Sequence, residues 1–215
     1  MKGKMKVKIM KTQGHPIFSA FYSMMSSHLD ETMFGKQSAF FAANFEGLRV
    51  LEVGCGTGIN FTYYPNSAQV VAIEPDPHML RRARACLKTI ESKNIEVINA
   101  GAESLPFGDE EFDAVLVTLV LCTIPNERKA LQECKRVLRP GGKLYFLEHV
   151  QAHSSTWQKI QNFVNPLWNK LAGGCNLNRD SLSLIKSAGF EIEVQKSKKR
   201  CAPWLPFIYG VARKL

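Results

Sequence analysis

Three glycines stand at alternate positions in Leu51-Glu52-Val53-Gly54-Cys55-Gly56-Thr57-Gly58, directly after an apolar run. Glycine tolerates the tight turns that fold a loop back over a strand end, and it lets the backbone come close to a ligand. The spacing is GxGxG. A dinucleotide fingerprint, GxGxxG, would need glycine where Ile59 stands, so the loop points to a cofactor without a pyrophosphate. Twenty residues after Gly54, at the end of the next apolar run, comes Glu74. A carboxylate there can accept two hydrogen bonds from the hydroxyls of a ribose. Taken alone, Glu74 reads equally as a surface acid beside a turn, since Pro75 and Pro77 follow at once. The glycine loop at the right separation favours the ligand reading.

Positioning such groups takes a scaffold, and the chain alternates accordingly. Apolar strand patterns cover Leu48 to Val53, Gln69 to Ile73, Glu96 to Asn99, Phe112 to Thr118 and Lys143 to Leu147. Helical patterns fall between them at Ile59 to Tyr64, Met79 to Ser92 and Arg128 to Leu138, the last stopped by Pro140-Gly141-Gly142. This alternation predicts a mostly parallel sheet covered on both faces. Beyond it, helices are expected over Ser154 to Leu171 and Arg179 to Ala188. Strands at Phe190 to Val194 and Phe207 to Val211 are joined by a loop too short for a crossover helix, so they pair antiparallel. Ahead of the first strand, Pro16 to Leu29 and Met33 to Phe45 read as two helices, a lid over 16–45. Phe34, Phe40, Phe41 and Phe45 lie on or near one side of the second. The expected architecture is an α/β, Rossmann-like, doubly wound, mostly parallel seven-stranded sheet. It carries an antiparallel C-terminal hairpin and an N-terminal helical lid.

Bulk properties bound the function. The 215 residues suit one domain, 16–215, behind a disordered basic tail over 1–15. The net charge of +9 is local. Lys2, Lys4, Lys6, Lys8 and Lys11 supply part of it, and Lys196, Lys198, Lys199 and Arg200 the rest; without these nine, basic and acidic residues balance at 19 each. These runs read as solvated, with weak attraction to an anionic membrane surface as the sharper alternative. No aromatic residues interleave them, which argues against a nucleic-acid partner. The first residues are too charged for a secretory signal, and no apolar run reaches membrane-spanning length, so a cytoplasmic protein is expected. The six cysteines form no CxxC pair and no His/Cys cluster with zinc spacing; they are expected reduced, with no metal site. Nothing in composition fixes an oligomeric state.

Further motifs follow in order: Ala100-Gly101-Ala102-Glu103-Ser104-Leu105-Pro106-Phe107, then Phe112-Asp113 leading to Thr118-Leu119, then Arg139-Pro140-Gly141-Gly142. With the glycine loop and Glu74, this succession resembles the class I S-adenosylmethionine-dependent methyltransferases from about Leu48 to His149. The resemblance implies S-adenosylmethionine as cofactor, S-adenosylhomocysteine as product, and a role for each matching residue. Gly54, Cys55, Gly56 and Gly58 would form the loop around the methionine and ribose, and Glu52 would hold that loop or the cofactor amino group. Glu74 would take the ribose hydroxyls, with Pro75 and Asp76 beside the adenine. Ala102 would offer its backbone N–H to the adenine ring, and Thr118 and Leu119 would supply backbone contacts at the methionine end. Where many relatives carry Asp for the adenine amino group this chain has Gly101, and Glu103 is the acid at hand. Tyr22, in the lid, would close over the methionine end or simply pack.

A narrower resemblance is to the small alkyl-thiol methyltransferases with a type 11 methyltransferase domain. It rests on Leu119-Val120-Leu121-Cys122, Val137-Leu138-Arg139-Pro140-Gly141-Gly142, Phe146-Leu147-Glu148-His149-Val150, Ser155-Thr156-Trp157 and Gly174-Cys175-Asn176-Leu177. It implies an enzyme acting on a small, apolar acceptor, a thiol in the first place. Glu148 and His149, at the end of the fifth strand, become candidates to take the acceptor's proton. His149 reads equally as a buried, hydrogen-bonded core residue, and Cys122 as a small packed hydrophobe. The alternatives are N-, O- or C-transfer to a phospholipid or other lipid-like or quinone-type acceptor, which Met33-Phe34-Gly35-Lys36 keeps open, and a non-catalytic cofactor-binding module.

Overall fold

A computed structural model describes Gly35, Phe40, Phe41 and residues 43–90, 94–197 and 203–215. The lysine tail, Tyr22 and most of the expected lid fall outside these residues. Seven strands form one sheet: β1 Arg49–Val53, β2 Gln69–Ile73, β3 Ile95–Ile98, β4 Phe112–Thr118, β5 Leu138–His149, β6 Phe190–Ser197 and β7 Phe207–Lys214, in the order β3-β2-β1-β4-β5-β7-β6. The five strands from β3 to β5 pair in parallel, and β7 runs antiparallel to both β5 and β6. The predicted architecture of sheet and hairpin is therefore the observed one.

Side chains of a strand alternate between its faces, so each strand feeds two cores. On one face Leu51, Val53, Val71, Ile73, Val115, Val117 and Phe146 pack under helix α2, Glu127–Val137, through its Ala130, Leu131, Cys134 and Val137. On the other, Val50, Val70, Ala72, Ala114, Leu116 and Leu147 meet Phe61, Tyr64 and Ala83 of helix α1, Pro77–Leu87. Phe41 and Phe45 join this second core, with ring centroids 5.8 and 4.8 Å from Tyr145 of β5. Phe40 is not with them; it is exposed.

Boundaries differ from the sequence reading, most tellingly around the site and at the start of β5. A single 3-10 turn, Phe61–Tyr63, replaces the helix expected after the glycine loop. Helix α1 starts earlier than expected, because Asp76 caps it by accepting from the backbone N–H groups of His78 and Met79 at 2.7 and 3.0 Å, with Pro77 as its first residue. It also ends earlier, at Leu87 rather than Ser92. Pro140-Gly141-Gly142 does not separate helix from strand; β5 already begins at Leu138, paired with Phe112, and the register shifts across these residues. Gly141 has φ +74°, and a Cβ on Gly142 would stand 2.9 Å from the Arg139 carbonyl, so this bulge needs both glycines.

Helices α3, Ser155–Leu171, and α4, Ser181–Ser187, complete the described chain. Phe163, Leu167 and Trp168 of α3, and Trp204, are exposed. Between β6 and β7 the backbones come so close that a Cβ on Gly210 would lie 2.0 Å from the Val194 carbonyl oxygen. No helix among the described residues is long and apolar enough to cross a membrane.

Candidate functional site

The last residues of β1, β2 and β4 (Val53, Ile73 and Thr118) open onto a cleft of about 520 Å³, a size usual for small-molecule sites. Carboxyl ends of parallel strands, at the point where strand order reverses, are where open α/β sheets bind ligands. The glycine loop forms one wall. Its first N–H groups, of Gly54 and Cys55, both donate to the Ile73 carbonyl at 2.9 and 3.0 Å, folding the loop over β2. Gly54, Gly56 and Gly58 all have positive φ, between +57° and +85°.

The glycines divide their labour. Gly54 and Gly56 line the cleft. A Cβ on Gly54 would lie 2.2 Å from a methyl of Val120 on the facing wall. Gly58 lies away from the lining and makes room for Phe61, whose ring a Cβ would meet at 2.6 Å. Cys55 is buried in the second core, also away from the cleft. Glu52, fully buried behind the loop, accepts from Asn60 Nδ2 at 2.8 Å and the Tyr64 hydroxyl at 3.0 Å. These bonds pin the chain leaving the loop. Desolvation outweighs them and lifts the Glu52 carboxyl to about 7.

Glu74 lines the cleft together with Pro75 and Asp76. One of its oxygens accepts from Gly56 N–H and the other from Asp76 N–H, each at 2.9 Å. A carboxylate offers about four lone-pair sites, so roughly two remain for a ligand. Burial raises the Glu74 carboxyl to about 7, against the pull of those two N–H groups. Asn99, whose Nδ2 donates to the Glu74 and Pro75 carbonyls, holds this corner in place. Ala102 and Glu103 lie on the wall beyond, where Glu103 accepts from Asn126 N–H at 3.1 Å. Thr118 and Leu119 line the opposite end, and Leu119 sits at φ +54°, a costly conformation for a residue with a side chain.

Glu148 and His149 do not line the cleft; Glu148 stands one contact behind it, through Val120. Glu148 is fully buried, and one oxygen accepts from the N–H groups of Val120 and Leu121 at 2.9 and 3.0 Å. The other oxygen has no partner among the described residues. Desolvation again raises the carboxyl to about 7. His149 turns Nε2 to Cys175 Sγ at 3.2 Å, and its Nδ1 is buried without a partner among the described residues. Cys122 completes this cluster: its sulfur, that of Cys175 and a His149 ring nitrogen lie within 4.8 Å of one another. Hydrogen bonding from Cys122 first, and the His149 contact after it, pull the Cys175 thiol well below its ordinary range, and the hydrogen bond with Cys175, with burial after it, pushes Cys122 up.

Several wall residues carry no motif of their own: Met79, Thr123, Ile124, Pro125 and Gly173. Their organisers are equally silent in sequence. Arg179 donates to the carbonyls of Leu121 and Ile124, and Asn176 reaches the Cys122 carbonyl through both its backbone and side-chain N–H, at 2.9 and 3.0 Å. Their signs in the sequence are Leu119-Val120-Leu121-Cys122 and Gly174-Cys175-Asn176-Leu177, which carry a family resemblance and no chemistry of their own.

A general methyltransferase domain matches residues 51–146. Thiol S-methyltransferase TMT1A from Homo sapiens is 36% identical over 206 residues, 92% of this chain and 83% of that protein. The chain belongs to this methyltransferase family. A demethylmenaquinone methyltransferase from Listeria monocytogenes is 30% identical over a shorter stretch, 58% of this chain and 56% of that protein. Among solved structures, a SAM-dependent methyltransferase from Aquifex aeolicus superposes with a TM-score of 0.70 at 16% identity, over 92% of this chain and 98% of that one, which establishes the fold.

The chain is thus an enzyme of a family whose cofactor is S-adenosylmethionine, and the cleft suits that cofactor chemically. Glu74 has acceptor capacity left for two hydroxyls. Ile73, Met79, Ala100 and Ile124 offer apolar walls for a flat base, and Gly54 and Gly56 leave the loop without side chains.

Proposed function

We propose that this methyltransferase transfers the methyl group of S-adenosylmethionine to a small, apolar thiol. The observation that carries the reading is the reach of the likeness to TMT1A. It runs over 206 residues, far outside the general domain at 51–146, and so takes in the C-terminal segment that supplies Gly173, Gly174 and Cys175. The quinone methyltransferase likeness covers much less of the chain.

S-adenosylmethionine supplies a methyl already activated on a sulfonium. The chain's own part is then to orient and to exclude water. Glu74 holds the ribose hydroxyls, Gly54 and Gly56 let the backbone approach, and Pro75, Asp76, Ala102 and Glu103 enclose the base. Thr118 and Leu119 fix the methionine end, at a turn that the Leu119 N–H bond to the Leu147 carbonyl, 2.8 Å, holds in its strained shape. In-line transfer needs the acceptor about 3 Å from the methyl and aligned with it. Val120, Thr123, Gly173 and Gly174 form the wall where the acceptor would lie. A thiolate is a strong nucleophile even when a small fraction is ionised, so little acid–base help is required. His149 would then tune the rate rather than carry it, and Glu148 acts by positioning the Val120–Leu121 backbone.

The test offers purified protein S-adenosylmethionine with a panel of small thiols, phenols, amines and aminophospholipids. Sulfur methylation with release of S-adenosylhomocysteine is expected. Product found only on nitrogen, oxygen or carbon would overturn the acceptor assignment and leave the family intact.

A further inference from the structure

We propose that Cys122, His149 and Cys175 form a binding site for a single divalent ion of the zinc class. The three come from separate segments: the turn after β4, the last residue of β5 and the loop between α3 and α4. That is why spacing along the chain gives no sign of them. Two thiols and an imidazole are the donor set that borderline-soft cations favour over magnesium or calcium.

The geometry is close to what such an ion needs. Tetrahedral zinc with Zn–S near 2.3 Å and Zn–N near 2.0–2.1 Å places its ligand atoms about 3.5–3.8 Å apart. Here His149 Nε2 and Cys175 Sγ are 3.2 Å apart, and all three ligand atoms fall within 4.8 Å of one another. Adjustments of a few tenths of an ångström to about one ångström complete the site. Cys122 and His149 are buried, and Cys175 is partly so. The scaffold holds them together without an ion. Asn176, next to Cys175, bonds the Cys122 carbonyl twice, and Asn169 Nδ2 donates to the Gly174 carbonyl at 2.7 Å. Ligands fixed in this way lose less freedom when an ion binds.

Three protein ligands leave a tetrahedral ion one open position, the arrangement of zinc sites that hold an exchangeable group. Cys122 adjoins Thr123 and Cys175 adjoins Gly174, and both neighbours line the cleft. The site therefore borders the region assigned to the acceptor, where a sulfur could serve as fourth ligand. That bearing rests on the thiol reading above; ion binding itself does not.

The experiment titrates the full chain, reduced and freed of metal under anaerobic conditions, with Co²⁺ and then Zn²⁺. Expected are a thiolate-to-cobalt charge-transfer band that saturates at one equivalent and its loss when Zn²⁺ displaces the cobalt. Cys175→Ser should weaken binding by about 100-fold or more, His149→Gln by at least about 10-fold, and Cys86→Ser not at all. Cys122→Ala can fail to fold because Cys122 is buried, so the decision falls on Cys175→Ser, whose fold is checked by its thermal melt and its binding of S-adenosylhomocysteine. No band in folded wild-type protein, or a band that survives in Cys175→Ser, overturns the proposal. So does isolation of Cys122 and Cys175 as a disulfide that, once reduced, takes up no ion. These readouts do not involve turnover, so their failure leaves the thiol-transfer reading standing. Tight ion binding without methylation of any thiol would overturn only that reading.

Discussion

Glu74 and Glu148 are the same residue type in equivalent places, each at the C-terminal end of a parallel strand. Both are buried, both accept two backbone N–H groups, and burial lifts both carboxyls to about 7. Yet Glu74 divides its bonds between two oxygens and stands on the cleft wall. Glu148 takes both on one oxygen, leaves the other unpartnered among the described residues, and stands behind the wall. The difference separates two regions of the molecule. Around Glu74 the chain presents groups to a ligand; around Glu148 it presents groups to its own backbone, and so shapes the wall from behind.

The sharpest test of that division lies on the loop facing both. Gly54→Val would push a Cβ to 2.2 Å from Val120 and force a branched side chain into φ +68°. Overpacking and left-handed strain together cost about 3 kcal/mol or more, so affinity for S-adenosylhomocysteine should fall by more than about 100-fold in calorimetry. Gly47→Ala is the control. Its φ is +70°, but nothing lies within 4 Å of the added Cβ, so strain acts without a clash. It should cost stability of about 1–2 kcal/mol and leave ligand affinity unchanged. Equal affinity losses in both variants would show that backbone strain, not closeness to Val120, governs the loop.

A smaller effect separates the two glutamates. Glu74→Gln removes the charge from hydrogen bonds to a ligand, and affinity for S-adenosylhomocysteine should fall by about 10-fold to 100-fold with little loss of stability. Glu148→Ala strips the N–H groups of Val120 and Leu121 of their acceptor. Its main cost should be stability, about 1–3 kcal/mol per orphaned group by urea unfolding, with affinity changed only a few-fold. If both variants lose affinity alike, Glu148 belongs to the binding surface and the comparison fails.

The same division explains what the sequence made legible. Gly54, Gly56, Glu74, Asp76, Ala102 and Thr118 lie in contiguous motifs, because a loop after a strand must be built from neighbours. The mostly parallel sheet and the C-terminal hairpin follow from alternation and loop length for the same local reason. The side proposed for the acceptor is backed by three separate segments, carrying Cys122, His149 and Gly174 to Arg179, joined by hydrogen bonds to carbonyls and by the His149–Cys175 contact. No periodicity records such bonds. Boundaries were lost where side chains act on the backbone. Asp76 looked like a cofactor contact, but its carboxylate also caps α1, and Pro140-Gly141-Gly142 looked like a helix stop but forms a bulge inside β5.

An effect spread over pH joins the two regions again, because Glu52, Glu74 and Glu148 each carry a carboxyl raised from about 4.5 to about 7, chiefly by desolvation. The sign follows from proton counts. Between those two values the folded protein binds more protons than the unfolded chain, so stability falls as pH rises. The contribution of the protonated groups is complete below about 4.5 and lost by the time pH has passed about 7. Each carboxyl accounts for at most about 3 kcal/mol across this window. Urea unfolding of ligand-free protein at steps from pH 5 to pH 8 should therefore show declining stability. Glu52→Gln should flatten the slope, since glutamine keeps an acceptor for Asn60 and its amide can donate to the Tyr64 hydroxyl. Glu74 adds an opposite trend for the ligand: its ionised form is the better acceptor, so S-adenosylhomocysteine affinity should rise through about pH 7, and Glu74→Gln should remove that rise. Stability that climbs with pH over the same range would mean that the three carboxyls ionise freely inside the fold. The likeness between Glu74 and Glu148 would then lie in their hydrogen bonds alone.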